Sequence, residues 1–295
     1  MTHTYRTVDV PGAGGDLRVG VWDPDDEVQR TVLAIHGVTS SHLAWPFVVA
    51  QLPGVRVIAP DLRGRAASRT LAGPAGMNAH ADDMAAVLDA FAVDALPVIG
   101  HSMGAFVSVV LAHRHPDRVE RLVLIDGGLP LDVPVGIDPA DLVPLILGPT
   151  AERLARRWSG VEQYTEEFWR DHPAFRDDWS EELEAYIAYD LVPEGDVFRS
   201  ATSYEVMAED TVDMNIGSAL PEALAGLVHP TLFITVPRGL QNEDPGLYPP
   251  AHLARLLERF PTVRHVHLDD LNHYTVVMSE RGAEALAPLL RAELD

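Results

Sequence analysis

Short, nearly continuous Val/Ile/Leu runs recur along the chain at residues 31–35, 55–59, 96–99 and 121–125. A run that is apolar at every position suits a strand covered on both faces. Longer segments with helical spacing, such as 79–91 and 103–113, separate these runs. That alternation predicts a parallel sheet with crossover helices, an α/β fold. Ahead of it, two β-rich runs at 5–10 and 17–22 flank a Gly-rich turn at 11–16 and predict an antiparallel hairpin. Between residues 129 and 224 the rhythm stops. This stretch has no convincing strand and is rich in bulky aromatics, among them Trp158, Tyr164, Phe168, Trp169, Phe175, Trp179, Tyr186, Tyr189, Phe198 and Tyr204. The strand and helix pattern returns with a strand at 231–236, a helix over Pro250–Arg259, a strand at 263–268 and a final helix over about 275–293. The sheet needs strands from both sides of the aromatic stretch. We therefore expect one core domain, 1–128 with 225–295, carrying a helical cap or lid, 129–224, inserted after the sixth strand.

Composition narrows the chemistry. The 295 residues include no cysteine, which excludes disulfides, thiolate metal sites and a cysteine nucleophile. At 47% hydrophobic and 22% charged, the chain has the balance of a folded protein with a sizeable core. Its 22 cationic side chains are all Arg and are outnumbered by 44 acidic ones. The net charge of −22 repels phosphate backbones and anionic lipid, so nucleic acid is not an expected partner. No stretch approaches the roughly 20 apolar residues that span a bilayer, and residues 1–10 lack the charged-then-apolar order of a leader; the expected location is the cytoplasm.

One motif carries chemistry. Gly100-His101-Ser102-Met103-Gly104 lies between the apolar run 96–99 and a helical segment, the strand, turn and helix setting of a nucleophile elbow. A turn this sharp strains the backbone at Ser102, and glycines at 100 and 104 remove side chains that would collide with neighbouring backbone. Ser102 Oγ then projects at the C-terminal edge of the sheet. The Met103 N–H, at the start of the helix, can face a developing oxyanion. His101 reads as filler within the motif.

With this motif the chain resembles the α/β-hydrolase family, in the branch of serine esterases and lipases, over nearly its whole length. Three further matches fall in the family's order: His36-Gly37 after the third strand, Asp61-Leu62-Arg63-Gly64 after the fourth, and Asn272-His273 after the last. The resemblance implies that Val38 supplies a second oxyanion N–H beside Met103, that Asp61 and Arg63 fix their loop, and that His273 is the base. Ala66 stands where many relatives carry a second glycine, so a differently shaped loop is expected there. A serine hydroxyl needs such a base, since it is scarcely ionised near neutrality. His265 and His267 share one face of a strand, but no third ligand follows at helpful spacing, and no metal or other cofactor is implied.

The carboxylate that orients His273 has two main candidates. Asp126 ends the strand after the nucleophile and needs no special loop path. Asp244 follows the next strand in an Asp-Pro pair common in the family, but beyond a lengthened loop at 237–242. Asp126 is preferred, Asp244 is the alternative, and Glu243 and Asp210 stand in reserve. Together these residues imply hydrolysis of an ester or lactone through an acyl-enzyme. The aromatic-rich insertion implies a hydrophobic small-molecule substrate, although aromatics at helical spacing equally serve packing. Carbon–carbon bond hydrolases, thioesterases and cofactor-free haloperoxidase-like enzymes share the same residue set. A non-catalytic small-molecule receptor is the rival of a different class. The sequence carries no signal for oligomeric state.

Overall fold

The apolar runs become the interior strands of an eight-stranded sheet, here described from a computed structural model for residues 3–295. Met1 and Thr2, the beginning of the segment read for a leader, lie outside the described residues. The strands are β1 (His3–Gly12), β2 (Gly15–Pro24), β3 (Arg30–Ile35), β4 (Val55–Pro60), β5 (Leu96–His101), β6 (Val119–Ile125), the short β7 (Leu191–Glu194) and β8 (Val197–Ser200), then β9 (Thr231–Thr235) and β10 (Val263–His267). The main sheet runs β1-β2-β4-β3-β5-β6-β9-β10, antiparallel for the β1, β2 and β4 pairs and parallel beyond, which makes it the expected α/β-hydrolase arrangement.

Helices α1 (Pro46–Ala50), α2 (Met77–Ala90), α3 (Met103–Arg114), α4 (Pro139–Leu147), α5 (Pro149–Ala155), α6 (Val161–Tyr164), α7 (Glu181–Tyr189), α8 (Tyr204–Ile216), α9 (Ala219–Ala225), α10 (Pro250–Arg259), α11 (Thr275–Met278) and α12 (Glu280–Leu294) cover the sheet or fill the insertion. Successive residues of a strand point to opposite faces. Thus Leu33, Ile35, Val98, Leu122 and Leu124 enter one core with α2 and α3, whereas Val32, Ile99, Val123 and Ile125 enter a second core with α1 and α12. Each fully buried Val, Leu or Ile side chain contributes about 1.5–3 kcal/mol of transfer free energy, so two dry faces explain why these strands are apolar at nearly every position.

Two expectations need correction. The segment between β6 and β9 does contain strands: β7 and β8 pair as a two-stranded hairpin turned by Gly195 at φ +63°. Four residues each are too few to display an alternating pattern. The final helix is two helices, because Ser279 takes extended angles (φ −142°, ψ 158°) and caps α12 by accepting from Gly282 N–H. Helix α9, near the end of the inserted segment, packs on α3 of the sheet layer.

Candidate active site

The elbow forms where β5 meets α3. Ser102 has φ 54° and ψ −125°, a region side chains other than glycine avoid, at a cost of about 1–3 kcal/mol. Neighbouring hydrogen bonds hold it there: Ser102 N–H donates to Ile125 O (2.9 Å) and Ala105 N–H to Ser102 O (2.9 Å). The glycines have the role expected of them. A Cβ on Gly104 would stand 2.0 Å from Ile35 O, and one on Gly100 would stand 2.5 Å from Ala105 Cα. Met103 opens α3, so its N–H belongs to the first turn, whose donors have no partner within the helix.

His273 lies in the loop after β10. Its N–H donates to Arg238 O (2.9 Å), and the preceding Asn272 turns the chain into α11 by accepting from the Tyr274 and Thr275 N–H groups (3.0 and 2.9 Å). His273 Nδ1 lies 2.7 Å from Asp126 Oδ2, with both side chains buried. A carboxylate accepts, so Nδ1 carries the proton and Nε2 is left as an acceptor. Asp126 is itself fixed at the end of β6, at φ 45°, with its N–H on Ile234 O (2.8 Å).

The other carboxylates are elsewhere. The loop at 237–246 closes on itself through Gly239 N–H to Glu243 O (2.9 Å) and Gly246 N–H to Pro237 O (2.8 Å), which leaves Asp244 exposed on its outside. Glu243 accepts from Gln241 N–H (2.6 Å), and Asp210 on α8 pairs with Arg65 and His80. His265 and His267 both meet the Thr235 hydroxyl at 2.9 Å.

His101 is more than filler. Its Nε2–H donates to His273 O (2.7 Å), and its ring lies 4.8 Å from the His273 ring. Burial, reinforced by the neighbouring His273, holds its pKa well below the ordinary histidine range, so no second cation forms beside His273. The motif gave no signal of this contact, since any residue fits the x of Gly-x-Ser-x-Gly.

The segment after β3 completes the mouth of the site. His36 Nδ1–H donates to Gly37 O (2.8 Å), while His36 Nε2 accepts from Leu62 N–H (3.0 Å). This arrangement requires neutral imidazole, and burial lowers its pKa to about 4. Ser40 N–H also donates to Gly37 O (3.2 Å). The 37–38 peptide is planar and trans, so pinning its carbonyl on one side aims the Val38 N–H to the other. Asp61 and Arg63 fix loops as expected. Asp61 accepts from His42 Nδ1 (2.7 Å) and from the Tyr189 hydroxyl (2.7 Å), and Arg63 clasps Asp83 with two bonds of 2.7 Å. The anticipated change of shape at Ala66 is not seen in its backbone angle: Ala66 sits at φ 44°, in the region that favours glycine.

Ser102 and His273 face one cavity, with about 590 Å³ of space between atoms, part of it open to solvent. Val38 and Met103 border it beside them. Leu131, Ile146, Leu147 and Met214 roof it from the segment between β6 and β9, and Phe106, Leu240 and Leu247 close its sides. Among the described residues, no Asp, Glu or Arg lines it. Of the ten aromatics named in that segment, Tyr186 reaches the cavity; Trp158, Tyr164, Trp169 and Phe175 are buried in the second core instead. The pocket is apolar, as expected, but chiefly through aliphatic side chains.

Comparison with known proteins places this geometry in context. A lipase, LipV, of Mycobacterium tuberculosis is 35% identical over 153 residues, covering 50% of this chain and 58% of the lipase. A putative carbamate hydrolase, RutD, of a Caulobacter species is 35% identical over 101 residues, 34% of this chain and 38% of that protein. The chain thus spans less than two thirds of the length of either relative. Among solved structures, an E-2-(acetamidomethylene)succinate hydrolase superposes with a TM-score of 0.76 over 98% of this chain and 100% of its own, at 20% identity, a likeness of fold. The family model for the alpha/beta hydrolase fold matches residues 30–277, from β3 through the loop that carries His273, and the chain belongs to that family.

Proposed function

We propose that this protein is a serine hydrolase that cleaves a carboxylic ester or lactone of a hydrophobic small molecule through an acyl-enzyme. The observation that carries this reading is one cavity shared by Ser102, on a strained elbow, and His273, whose Nδ1 is bonded to buried Asp126. Ser102 Oγ attacks the substrate carbonyl while His273 Nε2 takes its proton. Asp126 stabilises the resulting imidazolium. The carbonyl oxygen becomes an oxyanion that accepts from the Val38 and Met103 N–H groups, donors fixed before the reaction and therefore free of reorganisation cost. His273 returns the proton to the departing alcohol oxygen. Water, deprotonated by the same histidine, then releases the acid and restores Ser102.

The lining supports an uncharged acyl portion. A carboxylate or ammonium group in this cavity would lose its hydration without meeting an opposite charge. The segment over the cavity acts as a lid, since it supplies the roof of the pocket. The names of the lipase and the carbamate hydrolase are consistent with hydrolysis at a carbonyl.

Turnover of short-chain chromogenic esters by the wild type and by Ser102→Ala tests the proposal. The variant should fold normally and lose several orders of magnitude in kcat, with binding and the oxyanion donors as the residue of catalysis. Near wild-type turnover by folded Ser102→Ala would refute the assignment, and release of no more than about one equivalent of product by the wild type would indicate a receptor.

A further inference from the structure

Arg65 occupies a position that the mechanism above does not use. It is a fully buried cation, a placement rare for arginine unless it is paired. Its Nε–H donates to Val38 O (2.8 Å) and Nη1 donates to Arg63 O (2.8 Å) and to Asp210. Nη2 lies against Met103 Sδ (3.7 Å). One planar guanidinium therefore touches both residues whose N–H groups form the oxyanion site. Asp210 comes from α8, in the segment between β6 and β9, and is held in turn by Gly76 N–H (2.7 Å) and His80 Nε2 (3.0 Å).

We propose that Arg65 is a positioning residue for the oxyanion site, coupled through Asp210 to α8. The proposal rests on the serine-hydrolase reading. Gly37 O is pinned on one side of Val38 by His36 and Ser40, and Val38 O is pinned on the other side by Arg65. With both flanking carbonyls held, the Val38 N–H has a fixed direction. The same guanidinium lies against the Met103 side chain, so it packs between the Val38 carbonyl and the first residue of α3. Because Asp210 holds that plane, a displacement of α8 moves the oxyanion site with it. The packing of the roof then regulates the rate of the chemical step.

Arg65→Lys separates this role from simple neutralisation of Asp210. An ammonium keeps the charge but lacks the fork that reaches Val38 O and Asp210 together. Loss of a whole oxyanion donor costs about 10²–10³ in kcat. Misdirection of one should cost about tenfold or more, with KM changed by less than about threefold. Affinity for a boronic acid, which forms a tetrahedral adduct on the serine, should fall in parallel with kcat. Asp210→Asn, close to isosteric, should produce the same pattern more weakly. Wild-type kcat and boronate affinity in folded Arg65→Lys and Asp210→Asn proteins would overturn the proposal while leaving the Ser102 assignment standing. Absence of any Ser102-dependent turnover in the wild type would overturn both.

Discussion

Asp126 accepts from the His273 ring through Oδ2, while its Oδ1 has no hydrogen-bond partner among the described residues. The carboxylate is fully buried, where its interaction with the imidazole is strong and removal of the charge is costly. In Asp126→Asn the amide can present a donor to Nδ1, which favours the tautomer that cannot accept from Ser102. We expect kcat to fall by as much as about 10⁴. Asp244→Asn, on the outside of its loop, should stay within a few-fold of wild type. Steady-state kinetics of the two folded variants side by side check this, and a severe loss confined to Asp244→Asn would reverse the assignment. His101 acts differently, by anchoring the backbone of His273, so its loss should be felt through the placement of that histidine.

At the scale of elements, the interior strands and the elbow were legible in the chain because burial on both faces and a Gly-x-Ser-x-Gly turn leave strong local patterns. The break between α11 and α12 was not, since a single serine carries it. Ser279 Oγ accepts from Gly282 N–H (3.1 Å) and donates to Thr275 O (2.7 Å), ending one helix and starting the next. Ser279→Ala should cost about 1 kcal/mol in urea unfolding, the usual value of an N-cap. An unchanged midpoint would mean that packing alone sets the break. The contacts of Arg65 and His101 were also invisible in the sequence. Arg65 meets Asp210 across 145 positions and His101 meets His273 across 172, distances over which no local pattern operates. The contact of Asp126 with His273 was legible in part, because Asp126 adjoins a strand end, whereas the closure of the 237–246 loop depends on backbone bonds that composition does not reveal.

For the whole molecule, buried neutral histidines make stability depend on pH. The unfolded chain binds a proton at each histidine near pH 6.5, but folded His36 does so near 4. Between those values the unfolded state holds more protons, so stability falls with falling pH. The contribution of His36 is complete above pH 6.5, and about 3 kcal/mol of it is lost by pH 4. His172, with its pKa also lowered to about 4 by burial and then by Arg153, acts in the same direction, as does His101. Urea unfolding from pH 7 to 4.5 should show this decline, and His36→Gln should flatten it. A slope unchanged by that substitution would locate the dependence in other groups.

The proposed catalysis turns on a covalent bond to one oxygen, and trapping that bond tests it most directly. Wild-type protein mixed with excess activated ester, quenched in acid on the millisecond scale and mapped by mass spectrometry, should carry an acyl group on Ser102, approaching one per chain when deacylation is the slower step. In Asp126→Asn the same adduct should form far more slowly, and in Ser102→Ala it should be absent. An acyl group mapped to another residue, or Ser102→Ala turning over the ester at the wild-type rate, would contradict the assignment of Ser102 as the nucleophile.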